Sequence, residues 1–143
     1  MAINVELLET SFKAVAPRAD ELAEVFYNRL FREHPQVRPM FPQDMTGQKK
    51  ALIAALAMVV ENLRNPEKLG AALRDLAIRH IGYGVVREQY PVVGQTLLAS
   101  LAEVAGPAWN DQLHQAWADA YAAIQSVIYA ALDEYDRQHQ QAA

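Results

Sequence analysis

The sequence contains no cysteine. That excludes thiolate catalysis, cysteine-held zinc, iron–sulfur clusters and thioether attachment of a cofactor through a CxxCH motif. Any metal must be held by His, carboxylate, Tyr or a non-covalent group. Long apolar runs are also missing. The longest is ALIAALAMVV, residues 51–60, about half of the ~20 residues a membrane-spanning helix needs, so membrane insertion is not expected. The opening MAINVELLETSFK is acidic and amphipathic, with no apolar stretch leading to a small-residue cleavage site, so no signal peptide is expected. Basic residues do not dominate or cluster: 13 Lys and Arg stand against 17 Asp and Glu, a net charge of −4. Nucleic acid is therefore not an expected partner, and a cytoplasmic location is the expectation.

There is no internal repeat, linker or strand pattern. The 143 residues suit one domain spanning 1–143, large enough to bury roughly 70% of the surface its unfolded chain would expose. What the chain does have is one helical period after another. Residues 4–16 place Val5, Leu8, Phe12 and Val15 at helical spacing. Pro17 suits the first turn of a helix over 18–34, with Leu22, Phe26 and Leu30 on one side. Pro35, Pro39 and Pro42 then forbid a long helix and make 35–46 a corner. Thr46 is a candidate cap for a helix from Gly47 to about Asn65, with Leu52, Leu56, Val59 and Leu63 on its apolar face. Pro66 opens a segment from Glu67 to about Ile81, where Leu69, Leu73, Leu76 and His80 step by 4, 3 and 4, and Gly82 and Gly84 stop it. A helix from about Glu88 to Gly106 carries Val93, Leu97 and Leu101. The last runs from Trp109 to about Arg137, with Trp117, Tyr121, Ile124, Ile128 and Tyr135 as its stripe and a polar tail expected to fray. The expectation is all-α, six or seven helices packed on one another.

Three polar residues sit on apolar faces. His80 lies in line with three leucines. It is a satisfied core histidine, a cation near a helix C-terminus, or a metal ligand whose other ring nitrogen is held by a backbone carbonyl one turn back. Gln48 extends the Leu52 face, either as a first-turn residue reaching solvent or as an inward donor. Tyr27, beside Phe26, is either core filling or a second inward donor. Zinc and non-haem iron need three or four protein ligands, whereas His34, His114 and His139 are scattered and no HxxxH or ExxH pair exists. A metal with one protein ligand is held mostly by something else, and a porphyrin does that.

Four segments in register, VFYNRLFREHPQVRPMF, GQKKAL, DLAIRHIGYGVVREQYPVVGQTLL and AWADAYA, resemble the bacterial single-domain haemoglobins and the globin domain of flavohaemoglobins, over about residues 5–135. The resemblance implies a globin fold of six to eight helices around a haem pocket, with non-covalent haem b as cofactor. It puts His80 at the proximal iron ligand and Phe41 at the phenylalanine lying flat on the haem. Tyr27 and Gln48 fall on the distal hydrogen-bonding pair, Leu52 on the apolar residue one turn beyond, and Tyr90 on the tyrosine beside the ligand histidine. A disc of haem wants apolar walls, and Leu76, Val85, Val93 and Leu97 are the candidates for the proximal one. Oxygen on ferrous haem gathers negative charge on its outer atom, so a hydroxyl and an amide aimed there would each contribute roughly 1.5–3 kcal/mol.

The chain departs from this family in two respects. Flavohaemoglobins continue into a reductase, and the expectation here is no flavin or nicotinamide module. The family also places a Glu late in its last helix, where this chain has Leu132; Asp133 and Glu134 are adjacent but point about 100° away per residue. The expected function is reversible binding of oxygen, for storage, delivery or scavenging, with nitric oxide and carbon monoxide as further diatomic ligands. The alternative is an enzyme, a nitric oxide dioxygenase served by a separate reductase; Leu132 in place of the Glu weakens the case for that activity and for a dedicated peroxidase-like one alike.

Overall fold

The computed structural model describes residues 3–142. Within them six α-helices follow one another: α1 (Val5–Val15), α2 (Ala19–Glu33), α3 (Thr46–Glu61), α4 (Pro66–Gly82), α5 (Gln89–Ala105) and α6 (Asp111–Ala142). Short 3₁₀ turns at Ala16–Arg18, Pro35–Met40 and Gly106–Ala108 make the sharp connections. The all-α expectation stands, and the periods locate the helices to within a few residues.

The boundaries differ for local reasons. Three helices open on an asparagine that the periodicity does not reveal. The side chains of Asn4, Asn65 and Asn110 accept from the backbone N–H of Leu7, Lys68 and Leu113, at 3.1, 3.3 and 2.8 Å. Such a cap is worth about 1 kcal/mol. Thr46 is not a cap: it is already helical, and its N–H donates to Asp44 Oδ1 at 3.0 Å. Pro17 belongs to the 3₁₀ turn between α1 and α2 rather than to α2. The three-proline corner is itself a 3₁₀ turn over Pro35–Met40. α3 stops at Glu61, so Leu63 lies beyond it, and its fully buried side chain is Val60. The polar tail does not fray over its described length, because α6 continues to Ala142; Ala143 lies outside the described residues.

The core divides in two. The larger cluster joins α1, α2, α3, α5 and the start of α6 through Leu8, Leu22, Phe26, Leu30, Val60, Leu101 and Trp117. The smaller joins α4 to the far half of α6 through Ala77, Tyr90, Ile128, Ala131 and Leu132. Leu132 is 8% exposed and continues the α6 stripe in place of Tyr135, which instead stacks on His139 at 3.8 Å. α2 packs on both α3 and α5, whereas α4 packs chiefly on α6. Among the described residues α3 and α4 make no sizeable interface with each other. Their apolar side chains Leu52, Leu56, Leu76 and Ile81 accordingly stay half-exposed. Apolar surface of that extent without a partner is unusual, since each buried Leu or Ile contributes about 1.5–3 kcal/mol.

Candidate functional site

The residues singled out in the sequence gather into two groups, one on each core cluster. The first is built on α2 and α3. Tyr27 is 4% exposed, wedged edge-on between Phe26 at 4.9 Å and Phe41 at 5.7 Å. Gln48, in the first turn of α3, donates from Nε2 to the Tyr27 hydroxyl at 3.1 Å. A phenol oxygen both accepts hydrogen bonds and donates one. Here the oxygen accepts from Gln48, and no group among the described residues accepts the phenol proton. Burial pushes the Tyr27 hydroxyl above its ordinary value, against the opposing pull of Gln48, so the proton stays in place at neutral pH. Leu52 lies half-buried against the same cluster with Val93, and Leu97 is fully buried in it.

Phe41 stands where the chain turns extended after the 3₁₀ turn. Two residues outside the sequence-based expectations hold it. Phe31 meets Phe41 at 5.3 Å and Tyr27 at 5.8 Å. Arg38 lies 4.9 Å over the Phe31 ring and donates to the carbonyls of Phe41, Pro42 and Gln43. For Phe31 a signal does exist, because it follows Tyr27 by one helical turn. For Arg38 there is none, since its partners are backbone atoms of an irregular loop.

The second group is built on α4 and the start of α5. His80 Nδ1 donates to the Leu76 carbonyl at 2.7 Å. A carbonyl only accepts, so the proton sits on Nδ1 and Nε2 is left with a free lone pair. Burial holds the imidazole below its ordinary value; the Leu76 carbonyl opposes this and Arg79 adds to it. A neutral ring with one committed nitrogen and one bare nitrogen is the form that binds a metal. Tyr83 stands edge-on to His80 at 5.7 Å, and Tyr90, 6% exposed, lies tilted by 32° at 6.4 Å.

The end of α4 fixes that histidine. Gly84 has φ +84°. The Val85 N–H returns to the His80 carbonyl at 3.1 Å and the Gly84 N–H to that of Ile81 at 3.0 Å, which is the Schellman arrangement. Gly84 alone makes the stop, and Gly82 remains helical. His80 therefore sits in the closing turn, and Val85 is folded back half-buried against the smaller cluster. Leu132 lies in that cluster too. Asp133 is drawn away to Arg87 at 2.9 Å, so the polar partner of His80 among the described residues is the Leu76 carbonyl.

No hydrogen bond or ring contact among the described residues joins His80 to Tyr27, Gln48 or Phe41. The nearest tie between the groups is Gln89, which accepts from the Val86 N–H at 3.0 Å and donates to the Met40 sulfur at 3.3 Å. The two groups are thus hinged at one rim and separated along the α3 and α4 faces. Among the described residues no three His, Asp or Glu side chains converge, so a metal on His80 Nε2 would need its other ligands from a flat, largely apolar chelate. The half-exposed leucines and Phe41 suit such a disc, and the free phenol proton of Tyr27 suits a small ligand on its other side. Among the described residues no helix is long and apolar enough to cross a membrane.

Comparison with known proteins agrees with this geometry. The sequence model of the globin family matches residues 24–128. The flavohemoprotein of Rhizobium meliloti is 35% identical over 141 residues, 96% of this chain and 35% of that protein. The flavohemoprotein of Bordetella pertussis is 37% identical over 81% of this chain and 31% of its own length. The chain thus spans about a third of the length of these relatives. Among solved structures, a bacterial globin from Campylobacter jejuni superposes with a TM-score of 0.80 at 29% identity, covering 92% of this chain and 96% of its own. An engineered carbene transferase from Rhodothermus marinus, described as a "putative nitric oxide dioxygenase", superposes with a TM-score of 0.82 at 27% identity, covering 97% of this chain and 96% of its own.

Proposed function

The chain belongs to the globin family, whose membership implies haem binding, and we propose that it holds haem b non-covalently between its two residue groups and binds oxygen reversibly, for storage, delivery or scavenging. When bound, ferrous haem supplies an open iron position for a diatomic gas: oxygen, nitric oxide or carbon monoxide. His80 Nε2 is the proximal ligand, presented by the Leu76 carbonyl through Nδ1. Phe41 packs on the disc. Leu76 and Val85 would line the proximal wall, with Tyr90 beside the ligand; Val93 and Leu97, expected on that wall, instead pack in the Tyr27 cluster with Leu52, which would keep water from the distal face.

The observation that carries this reading is the 3.1 Å bond from Gln48 to Tyr27. By donating to the phenol oxygen, Gln48 leaves the proton of Tyr27 as a donor with no acceptor among the described residues. A charged or partly charged acceptor in a dry site returns roughly 1.5–3 kcal/mol for such a bond. Visible spectra of the purified protein, ferric, reduced, and with oxygen and carbon monoxide, test the reading. The expected result is a Soret band that moves to a stable oxygenated form. Absence of the band after haem is added would overturn it.

The likeness to flavohemoproteins favours a second reading, nitric oxide dioxygenation with electrons from a separate reductase. It predicts sustained nitric oxide consumption when a reductase is offered. Consumption limited to one equivalent per protein under every reductase would leave the oxygen-binding reading alone.

A further inference from the structure

The corner where α1, the end of α5 and the start of α6 meet encloses a cavity of about 150 Å³. None of the residues assigned to the haem lines it. Its wall is largely apolar, built from Val15, Leu101, Val104, Trp109, Leu113 and Trp117. The chain has two tryptophans, and both are in that wall. Each is placed by a local device. Gly106, at φ +58°, turns the chain out of α5, and the Trp109 N–H returns to the Gly106 carbonyl at 3.0 Å, where the backbone becomes extended. Trp117 is 6% exposed, and its indole donates to Ser11 Oγ at 3.0 Å. Ser11 passes its own proton to the Leu7 carbonyl at 2.7 Å.

We propose that this cavity is a second binding site, separate from the haem and independent of His80, for a small uncharged aromatic ring. Three observations carry it. The first is size and character: a dry apolar cavity of about this volume takes benzene or xenon, because its lining lacks dispersion partners on one side and a guest supplies them. The second is that the polar groups of the wall are committed to protein. Ser11 and Trp117 bond as described. Arg18 donates from Nε and Nη2 to the Glu21 carboxylate at 2.9 and 2.8 Å, and from Nη1 to the Val104 carbonyl. A water needs two to four polar partners, so the interior favours an apolar guest over water. The third is that the wall is suited to a ring in particular. Two indoles offer stacked or edge-on contact. The Arg18 guanidinium, half-exposed and in the wall, offers its charge to a π-face. An anionic guest gains less, because Glu21 already holds that guanidinium.

The test is a titration of the full chain, reduced under carbon monoxide, with benzene, followed by the proton resonances of the two indole N–H groups. Both should shift and saturate while the Soret band stays in place. Benzoate should bind at least about tenfold more weakly, since its charge would be buried without a partner. Ala105→Leu fills the cavity from the end of α5 and should abolish the saturable shift. Ala108→Leu fills it from the 3₁₀ turn, so that a failure of either variant to fold leaves the other. Indole signals that drift without saturating, or that saturate equally in the filled variants, would overturn the proposal. So would benzoate binding as tightly as benzene, or a Soret band that moves while the indoles do not. Failure of the haem reading looks different: the protein would be colourless and the benzene shift would remain.

Discussion

Gly82 and Gly84 stand two residues apart at the end of α4, and replacing each by alanine should move stability in opposite directions. An added β-carbon meets nothing within 4 Å at either position, so sterics and packing drop out and only the backbone decides. Gly82 is helical. Alanine there restricts the unfolded chain without straining the folded one, a gain of about 0.4–1 kcal/mol. Gly84 sits at φ +84°, where a β-carbon crowds the following carbonyl at a cost of about 1–2 kcal/mol. The two variants should therefore differ by about 2 kcal/mol. Urea unfolding of both, in the same ligand state so that cofactor binding does not enter the difference, should separate the midpoints by about 1 M. Thermal midpoints should separate by several degrees, at about 4 °C per kcal/mol. Gly84→Ala should also disturb the haem spectrum, because the two bonds of the stop end on the His80 and Ile81 carbonyls. Equal stability of the two variants, or a loss in Gly82→Ala, would refute the assignment of the stop to Gly84.

Gly94→Ala pushes a methyl into the Tyr121 ring and should cost about 1–3 kcal/mol by overpacking, measured by the same unfolding; a neutral outcome would mean the ring is not seated there. Tyr27→Phe should speed oxygen loss about 10- to 150-fold, the kinetic equivalent of one hydrogen bond to a charged acceptor. Gln48→Leu should act by way of Tyr27, so the double variant should fall short of the sum of the two singles in stopped-flow release. Burial raises the hydroxyls of Tyr27, Tyr90 and Tyr121 above their ordinary value. The folded state then keeps protons that the unfolded state gives up above pH ~10. Stability should be level below that point and fall as pH rises beyond it, by up to about 1.4 kcal/mol per pH unit for each group. The tyrosinate absorbance contributed by these three, read as the part lost in Tyr→Phe variants, should appear together with unfolding rather than before it.

Much of this site is legible in the residues. Leucines at steps of 3 and 4 locate α3 and α4, and the place of His80 on its helix face follows from that spacing alone. The stop of α4 does not, because two glycines in three residues carry the same letter and only φ separates them. The asparagine caps are equally hidden, since a cap lies outside the period it begins. The pairing of Gln48 with Tyr27 joins residues 21 apart on two helices, and no single-helix pattern contains it. Tyr121 reads in the sequence as one member of an apolar stripe. That its hydroxyl reaches a carbonyl of α5 depends on a missing side chain at Gly94, which is a fact about the neighbouring helix.

The leaning of α4 on α6 carries a consequence for how the protein comes apart and goes together. The cluster that holds Tyr27 is closed by five helices, while the segment bearing His80 is held from one side. Before the cofactor arrives, α4 is the cooperative unit with the least to lose on opening, and its amides should exchange with solvent sooner than those of α2. On the proposed reading haem would supply the missing wall. Loading would then act as the last folding event, so that tightness of cofactor retention and local rigidity of α4 should rise and fall together, measured by amide exchange with and without haem.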